Sequence, residues 1–241
     1  MMSAFGNGWP RPGRRWIIAG AVALACAGNL AAEENPDDPY EGFNRTMFTV
    51  NEAIDTYAAK PVARAYDNVA PLPVKAGVGS FFGNIGDLWI DINNALQGKL
   101  ADAGVDLSRL LVNSTVGIFG LFDVASELGL EKHDEDFGQT LAVWGVGGGG
   151  YLFWPVIGPR NVRDTFGWGV DYAVDPVRFA RPLGVSNSMM GLRFVDIRAS
   201  LLPTDKVVEE AALDKYAYVR DAYEQRRRSQ IYDGRPPRLE D

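Results

Sequence analysis

Residues 74–96, VKAGVGSFFGNIGDLWIDINNAL, show the helical pattern of this 241-residue chain most clearly. Large apolar residues recur there every three or four positions, which is the spacing of one face of an α-helix. That face consists of Val78, Phe81, Phe82, Ile85, Leu88, Trp89, Ile92 and Leu96. Similar spacing returns in residues 41–66, 101–116, 161–174, 189–202 and 203–228, with a short helix expected after Gly120. The chain is therefore predicted to be mostly α, built from amphipathic helices with broad apolar faces.

Prolines and polar residues predict where some of these helices begin and end. Pro61 is expected to interrupt the first helix, because an interior proline removes a backbone hydrogen bond. The last helix is expected to open at Pro203, with Thr204 or Asp205 as its N-cap. It is expected to end near Arg228, because basic residues suit the negative pole of the helix dipole.

Residues 140–159, TLAVWGVGGGGYLFWPVIGP, break the helical pattern. Four consecutive glycines, Gly147, Gly148, Gly149 and Gly150, lie between apolar and aromatic residues. A helix is unfavourable here, because each interior glycine costs about 1 kcal/mol relative to alanine. The segment is predicted to be a flexible, hairpin-like loop with an apolar tip.

The first 25 residues have the three parts of a secretory signal. Arg11, Arg14 and Arg15 are followed by the apolar residues 16–24 and then by Cys26. The apolar stretch is about nine residues long, which is too short for a permanent membrane span of roughly 20 residues. Export is therefore predicted, followed by an acidic tether over residues 26–38, a helical domain over residues 39–234 and a flexible tail over residues 235–241.

Cys26 is the only cysteine of the chain and is interpreted as the site of a lipid anchor. It can form no intramolecular disulfide, and a free thiol outside the cytoplasm is prone to oxidation. Two alternatives stay open. Ala23 and Ala25 also fit ordinary signal peptidase, and cleavage after Ala32 would discard Cys26 with the signal.

The charge of the chain excludes some classes of partner. The signal holds 3 of the 24 basic residues and none of the 31 acidic residues, so the mature chain carries 24 − 3 − 31 = −10. This charge argues against nucleic acid, whose phosphates require a basic surface. After the signal there is no run of 18 uninterrupted apolar residues, so a conventional span is not expected. The apolar helix faces can either meet in an ordinary core or face lipid.

The residues offer no credible catalytic, cofactor or metal site. Residues 145–150 fit the pattern G-x-G-x-x-G, but no helix is expected to open after them. His133 is the only histidine and lies in a charged turn that is expected to be solvated, without a second nitrogen or sulfur ligand. Ser186 lacks the strand and the second glycine of a nucleophile elbow. The chain is therefore predicted not to be an enzyme.

Five stretches in the same order resemble the MlaA/VacJ family of outer-membrane lipoproteins. They are DPYEGFNRTMF (38–48), RLLVNSTVGIFGLFDVAS (109–126), EDFGQTLAVWGVG (135–147), PVIGPRNVRD (155–164) and LLPTDKVVEEAALDKYAYVRDAYEQRRRSQIYDG (201–234). The resemblance implies a ring-shaped helical domain held in one leaflet of the outer membrane of a Gram-negative bacterium. It implies an amphipathic channel that removes mislocalised phospholipids from the outer leaflet. A periplasmic lipid-carrier protein would collect them, and a trimeric outer-membrane porin would be a partner.

The resemblance also implies which residues matter. The glycine-rich segment resembles the family's hairpin loop beside the channel, where Gly147, Gly148, Gly149 and Gly150 would provide mobility. Tyr151, Phe153 and Trp154 would then contact lipid or helices. Phe43, Asn44 and Phe48, near the start of the first helix, would help to hold the channel in its resting state.

Alternatives remain open for the loop and for the function. The glycines could simply permit close packing in a surface turn. The chain could instead be a soluble periplasmic lipid-binding module, or a lipid-cleaving enzyme that depends on His133.

Overall fold

The computed structural model describes residues 38–238. The predicted signal, Cys26, the tether up to residue 37 and residues 239–241 of the predicted tail lie outside the described residues. Residues 235–238 have no regular secondary structure.

The prediction of a mostly helical fold is confirmed. The helices are α1 (Glu41–Ile54), α2 (Lys60–Val69), α3 (Leu72–Leu96), α4 (Leu100–Thr115), α5 (Val124–Glu127), α6 (Phe137–Val143), α7 (Val162–Val174), α8 (Leu183–Ser200), α9 (Leu202–Ala211) and α10 (Lys215–Ile231). A π-helical turn (Asp55–Ala59) joins α1 to α2, and a 3₁₀ turn (Pro176–Phe179) follows α7. Strands β1 (Tyr151–Trp154) and β2 (Gly158–Asn161) form one antiparallel hairpin. Within residues 38–238, no helix is both long and apolar enough to cross a membrane.

The helices contact one another in a closed circuit. Going round, α2 packs on α8, α8 on α3, α3 on α6, α6 on α10, α10 on α9, and α9 again on α2. Arg227 of α10 closes one part of this circuit, because it donates hydrogen bonds to Asp136 before α6 and to Asp164 of α7 at 2.6–2.9 Å. The α6–α7 crossing is tight, since a Cβ on Gly167 would lie 2.5 Å from the backbone nitrogen of Gly138.

The expectation that Pro61 interrupts the first helix is wrong. The backbone stays helical from Glu41 to Val69, and Pro61 lies at the start of α2. The π-helical turn before it changes the hydrogen bonding, so that Lys60 N–H reaches the carbonyl of Asp55, five residues back. The altered hydrogen bonding of the π-helical turn is where the continuous helix accommodates a residue that has no N–H to donate.

The expected single helix at the C-terminal end is also wrong. The chain forms α9 and α10, and Asp214 caps the second helix by accepting from Tyr216 N–H at 3.0 Å. Neither Thr204 nor Asp205 is an N-cap, because α9 begins earlier, at Leu202. The carboxylate of Asp205 forms ion pairs with other helices instead. The preceding helix, α8, begins at Leu183 and so extends the predicted range by six residues.

The predicted hairpin is present, with a short turn at its tip. Tyr151 pairs with Asn161 and Trp154 with Gly158, so the tip is formed by residues 155–157. The positive φ of 91° at Gly158 belongs to this turn. The glycines precede β1 at the base of the hairpin. The start of the predicted loop, residues 140–143, is the end of α6.

The interior of the fold is polar and its surface is apolar. Among the described residues, 17 polar or charged residues are buried, against 9 apolar ones. In the same part of the chain, 40 large apolar side chains are exposed. A soluble domain of this size usually buries its aliphatic side chains and excludes charges from its interior. The expected apolar faces therefore exist, but many of them point outward.

Hydrogen bonds hold the polar interior together. Between α3 and α4, the amide of Asn94 donates to Asp106 at 2.7 Å. Arg109 donates to both oxygens of Asp123 at 2.9 and 3.0 Å, and the amide of Asn113 donates to the same carboxylate at 2.9 Å. Such pairing is required, because an unpaired buried polar group costs roughly 1–3 kcal/mol.

Candidate functional site

The side chain of Asn44 joins α1 to the hairpin. It is completely buried. Its Nδ2 donates to the carbonyl of Tyr151 at 3.0 Å and to Asp38 Oδ1 at 2.8 Å. Its Oδ1 accepts from Phe153 N–H at 2.8 Å. One amide therefore satisfies backbone groups of β1 that would otherwise be buried without partners.

Aromatic contacts join the same two elements. Phe43 meets Trp154 edge to face, with ring centroids 6.2 Å apart. Phe48 packs in the same way against Phe153 at 5.3 Å and against Tyr216 of α10 at 5.8 Å. The structure thus brings the residues of the predicted N-terminal gate into direct contact with the aromatic residues of the predicted loop.

Asp38 belongs to the folded domain, although it was placed at the end of the predicted tether. It is buried, and its second oxygen accepts a hydrogen bond from the hydroxyl of Tyr216. Burial and this bond to Asp38 raise the pKa of Tyr216 well above its usual range, so the hydroxyl stays protonated and remains a donor. Sequence reasoning missed both residues, because they are 178 positions apart in the chain.

The four glycines differ in how closely they are packed. A Cβ on Gly148 would lie 2.9 Å from the amide of Asn161, and one on Gly150 would lie 2.7 Å from the ring of Tyr40. Gly149 has a φ of 69°, and its Cβ would lie 3.0 Å from Val162. A Cβ on Gly147 would meet nothing within 4 Å. Close packing therefore accounts for three of the glycines, while the mobility of the segment stays a prediction.

A cavity of about 820 Å³ lies beside the hairpin. The π-helical turn, the hairpin tip and parts of α1, α7, α8, α9 and α10 surround it. Apolar side chains make up much of its wall, among them Phe48, Phe153, Trp168, Phe194, Ile197 and Val219. The hairpin aromatic Phe153 is thus both a partner of α1 and part of the cavity wall.

A group of paired charges lies on the same wall. Arg198 of α8 donates to both oxygens of Asp55 at 2.6 and 2.7 Å and to Asp205 of α9 at 2.9 Å. Lys60 also pairs with Asp205, at 2.9 Å. Burial would raise the pKa of Asp205, but its bonds to Arg198 and Lys60 outweigh burial and lower it. The cavity is therefore amphipathic, with apolar walls and a group of ion-paired residues. We call this group, Asp55, Lys60, Arg198 and Asp205, the charged belt.

The residues considered for catalysis do not form a site. His133 is not simply solvated, since its Nδ1 lies 3.1 Å from both carboxylate oxygens of Asp106. Ser186 is buried within α8, rather than at a turn between a strand and a helix. In the described part of the chain, no group of three or more His, Cys, Asp or Glu side chains could hold a metal ion.

Comparisons with known proteins agree on one family. The family model of the MlaA lipoprotein matches residues 36–230. The intermembrane phospholipid transport system lipoprotein MlaA of Escherichia coli is 33% identical over 209 residues, which cover 85% of this chain and 82% of that protein. An uncharacterized protein of Rickettsia bellii is 36% identical over 195 residues, covering 80% of this chain and 76% of that protein. A structure solved in work on the structural basis for maintenance of bacterial outer membrane lipid asymmetry superimposes with a TM-score of 0.70 and 31% identity, covering 82% of this chain and 99% of that one.

We expect Asn44→Ala to lower the free energy of unfolding by about 2–4 kcal/mol, because it leaves buried groups of β1 and Asp38 without partners. Chemical denaturation in detergent measures this loss. Amide hydrogen exchange should accelerate at Phe153, whose N–H loses its acceptor.

Asn51→Ala is the matched control for this substitution. Asn51 is on the same helix and accepts from Val156 N–H at the hairpin tip at 2.9 Å, but this bond is exposed. We expect Asn51→Ala to lower the free energy of unfolding by less than about 1 kcal/mol, since water replaces an exposed partner. Equal losses in the two variants would contradict a special role for Asn44.

Proposed function

The chain belongs to the MlaA lipoprotein family, and we propose that it transports phospholipids between membranes. Its substrates would be phospholipids mislocalised to the outer leaflet of the outer membrane, and their removal would maintain lipid asymmetry. The observation that carries this proposal is the amphipathic cavity beside the hairpin. Its apolar wall suits acyl chains, and its belt of paired charges provides a polar surface for a headgroup, which would be costly to move through hydrocarbon.

We propose that the domain lies within the leaflet that faces the periplasm. The exposed apolar side chains and the buried polar network support this location, because a lipid environment favours that distribution. The alternative, a soluble periplasmic lipid-binding module, would leave the same apolar surface in water, where it is unfavourable.

The proposed partners are a trimeric outer-membrane porin and a periplasmic lipid-carrier protein. Family membership supports both, and neither requires bond chemistry by this chain. Transport without catalysis agrees with the burial of Ser186, the nucleophile considered above, within a helix. We therefore propose a transport protein that is not an enzyme.

The proposal is tested by measuring phospholipid exposure on the surface of a deletion strain. We expect exposure to rise on deletion of the gene and to return to the normal level when the intact gene is restored. Unchanged exposure in the deletion strain would exclude this function.

We predict that Cys26 is the mature N-terminus and carries acyl chains. Stable anchoring requires more than one chain, and a triacylated cysteine supplies three. Mass spectrometry of the purified protein should find the corresponding mass increase on Cys26. A mature N-terminus at Glu33 would contradict the anchor, although the helices could still bind the membrane.

We predict that Gly147→Ala slows lipid transfer about threefold without lowering the melting temperature. The new Cβ meets nothing within 4 Å, so the main effect is reduced backbone freedom. Such a loss of freedom is typically worth about 0.4–1 kcal/mol. Lipid transfer between labelled vesicles measures the rate, and thermal unfolding measures the stability.

Gly148→Ala provides the comparison, because its Cβ would collide with Asn161. If the glycines only permit close packing, Gly148→Ala should lower stability and Gly147→Ala should change neither stability nor transfer. That result would exclude a hinge at Gly147.

A further inference from the structure

A second, smaller cleft lies at the other end of the buried face of β1. Its volume is about 400 Å³. The glycine-rich segment, the start of α7 and the C-terminal half of α10 form its walls. Its lining includes three arginines, Arg163, Arg227 and Arg228, with Glu224 as the acidic residue among them. We call it the basic cleft.

The strand β1 lies between the two cavities. Tyr151 lines the basic cleft, whereas Phe153, two residues further on, lines the large cavity. Both side chains are on the same buried face of the strand and belong to one packed cluster with Tyr216. Gly147 and Gly149 also line the basic cleft. A movement of the glycine-rich segment and the hairpin would therefore change both cavities together.

Tyr151 lines this cleft, and its hydroxyl is an unsatisfied buried group. The residue is 3% exposed, and its hydroxyl oxygen is buried without a hydrogen-bond partner in the described part of the chain. Burial raises the pKa of Tyr151, so the group stays protonated and can donate. Buried hydroxyl groups without partners are uncommon, because each one costs free energy.

Two arginines of the cleft donate to protein groups, and Arg227 is already paired with carboxylates. Arg163 donates to Asp164 at 2.9 Å and to the carbonyl of Val146 at 3.3 Å. Arg228 donates to the carbonyl of Pro237 at 2.5 Å. A guanidinium has five N–H donors in a rigid fork that matches the oxygens of a phosphate, so the donors that these two arginines leave unused are suited to bind this group.

We propose that the basic cleft binds the phosphate of a phospholipid headgroup, with the Tyr151 hydroxyl, Arg163 and Arg228 as donors. This inference rests on the proposed transport of phospholipids and adds a second headgroup site to it. The two cavities lie on opposite sides of the packed cluster around β1, so the basic cleft would hold a headgroup separately from the lipid in the large cavity. A diacylglycerol, which has no phosphate, would lack this interaction.

The test compares the binding of short-chain lipids to the full-length protein in detergent by isothermal titration calorimetry. The probes are dihexanoyl phosphatidylglycerol, dihexanoylglycerol and inorganic phosphate. We expect Arg228→Gln to weaken phosphatidylglycerol binding about tenfold, as for the loss of a charged hydrogen bond. Tyr151→Phe, which keeps the ring, should weaken it about fivefold. Dihexanoylglycerol binding should not change in either variant.

Arg226→Gln is the matched control. It makes the same charge change on the same helix, but Arg226 does not line the cleft and pairs with exposed Asp134 at 3.2 Å. We expect phosphatidylglycerol binding to change less than about twofold in this variant. Equal weakening by Arg226→Gln and Arg228→Gln would overturn the site, because net charge alone would then explain the effect. Thermal unfolding of each variant verifies that the fold is intact.

The remaining outcomes of the titrations distinguish a failure of this inference from a failure of the proposed function. A wild-type protein that binds neither lipid would contradict phospholipid transport itself. Binding of both lipids with equal affinity, unaffected by Arg228→Gln and Tyr151→Phe, would overturn only the basic cleft. Binding of inorganic phosphate without phosphatidylglycerol would identify free phosphate as the ligand and overturn the headgroup assignment.

Discussion

The fold depends on the pairing of polar groups in its interior. Its helices leave many of their large apolar side chains exposed, so hydrogen bonds and ion pairs must provide contacts that a soluble domain makes with aliphatic side chains. Arg227 shows that one side chain can join several elements. Its guanidinium connects α10 to Asp136, before α6, and to Asp164 of α7. The cost of this arrangement is that a missing partner leaves a buried charge, which is much more destabilising than a small apolar gap.

The sequence predicted the helices better than it predicted their boundaries or their inner faces. The periodicity of residues 74–96 agrees with α3, because three- and four-residue spacing is a local property. Periodicity cannot tell an apolar face that meets a core from one that meets lipid. Pro61 and Asp205 were interpreted from local rules, but a π-helical turn and ion pairs to α2 and α8 decide their roles. The ion pair of Asp205 with Lys60 depends on a residue far away in the chain, and the π-helical turn has no simple signal in the spacing of apolar residues.

For the candidate site, the resemblance selected residues that the structure brings together. Phe43 contacts Trp154, and Asn44 binds the backbone of Phe153. Asp38 and Tyr216, which complete this cluster, could not be found from local patterns. The charged belt was also missed, because Asp55 and Arg198 lie 143 positions apart, on helices that otherwise show amphipathic spacing. The only signal that the sequence contains for this belt is an isolated charged residue on an otherwise apolar helix face.

The position of Asn44 limits how the hairpin can move. Any displacement of β1 away from α1 breaks the two backbone bonds to Tyr151 and Phe153 at once, because both end on the same amide. At about 1–1.5 kcal/mol for each bond, plus the loss of the Phe48–Phe153 contact, the closed arrangement is favoured by several kcal/mol. An open state would then be populated about one per cent of the time or less. Motion at Gly147 avoids this cost, since that residue precedes β1 and its Cβ position is free of contacts. If Gly147 is the proposed hinge, its motion would change the basic cleft while Asn44 keeps the strand in place, and the large cavity would change only when the hairpin itself moves.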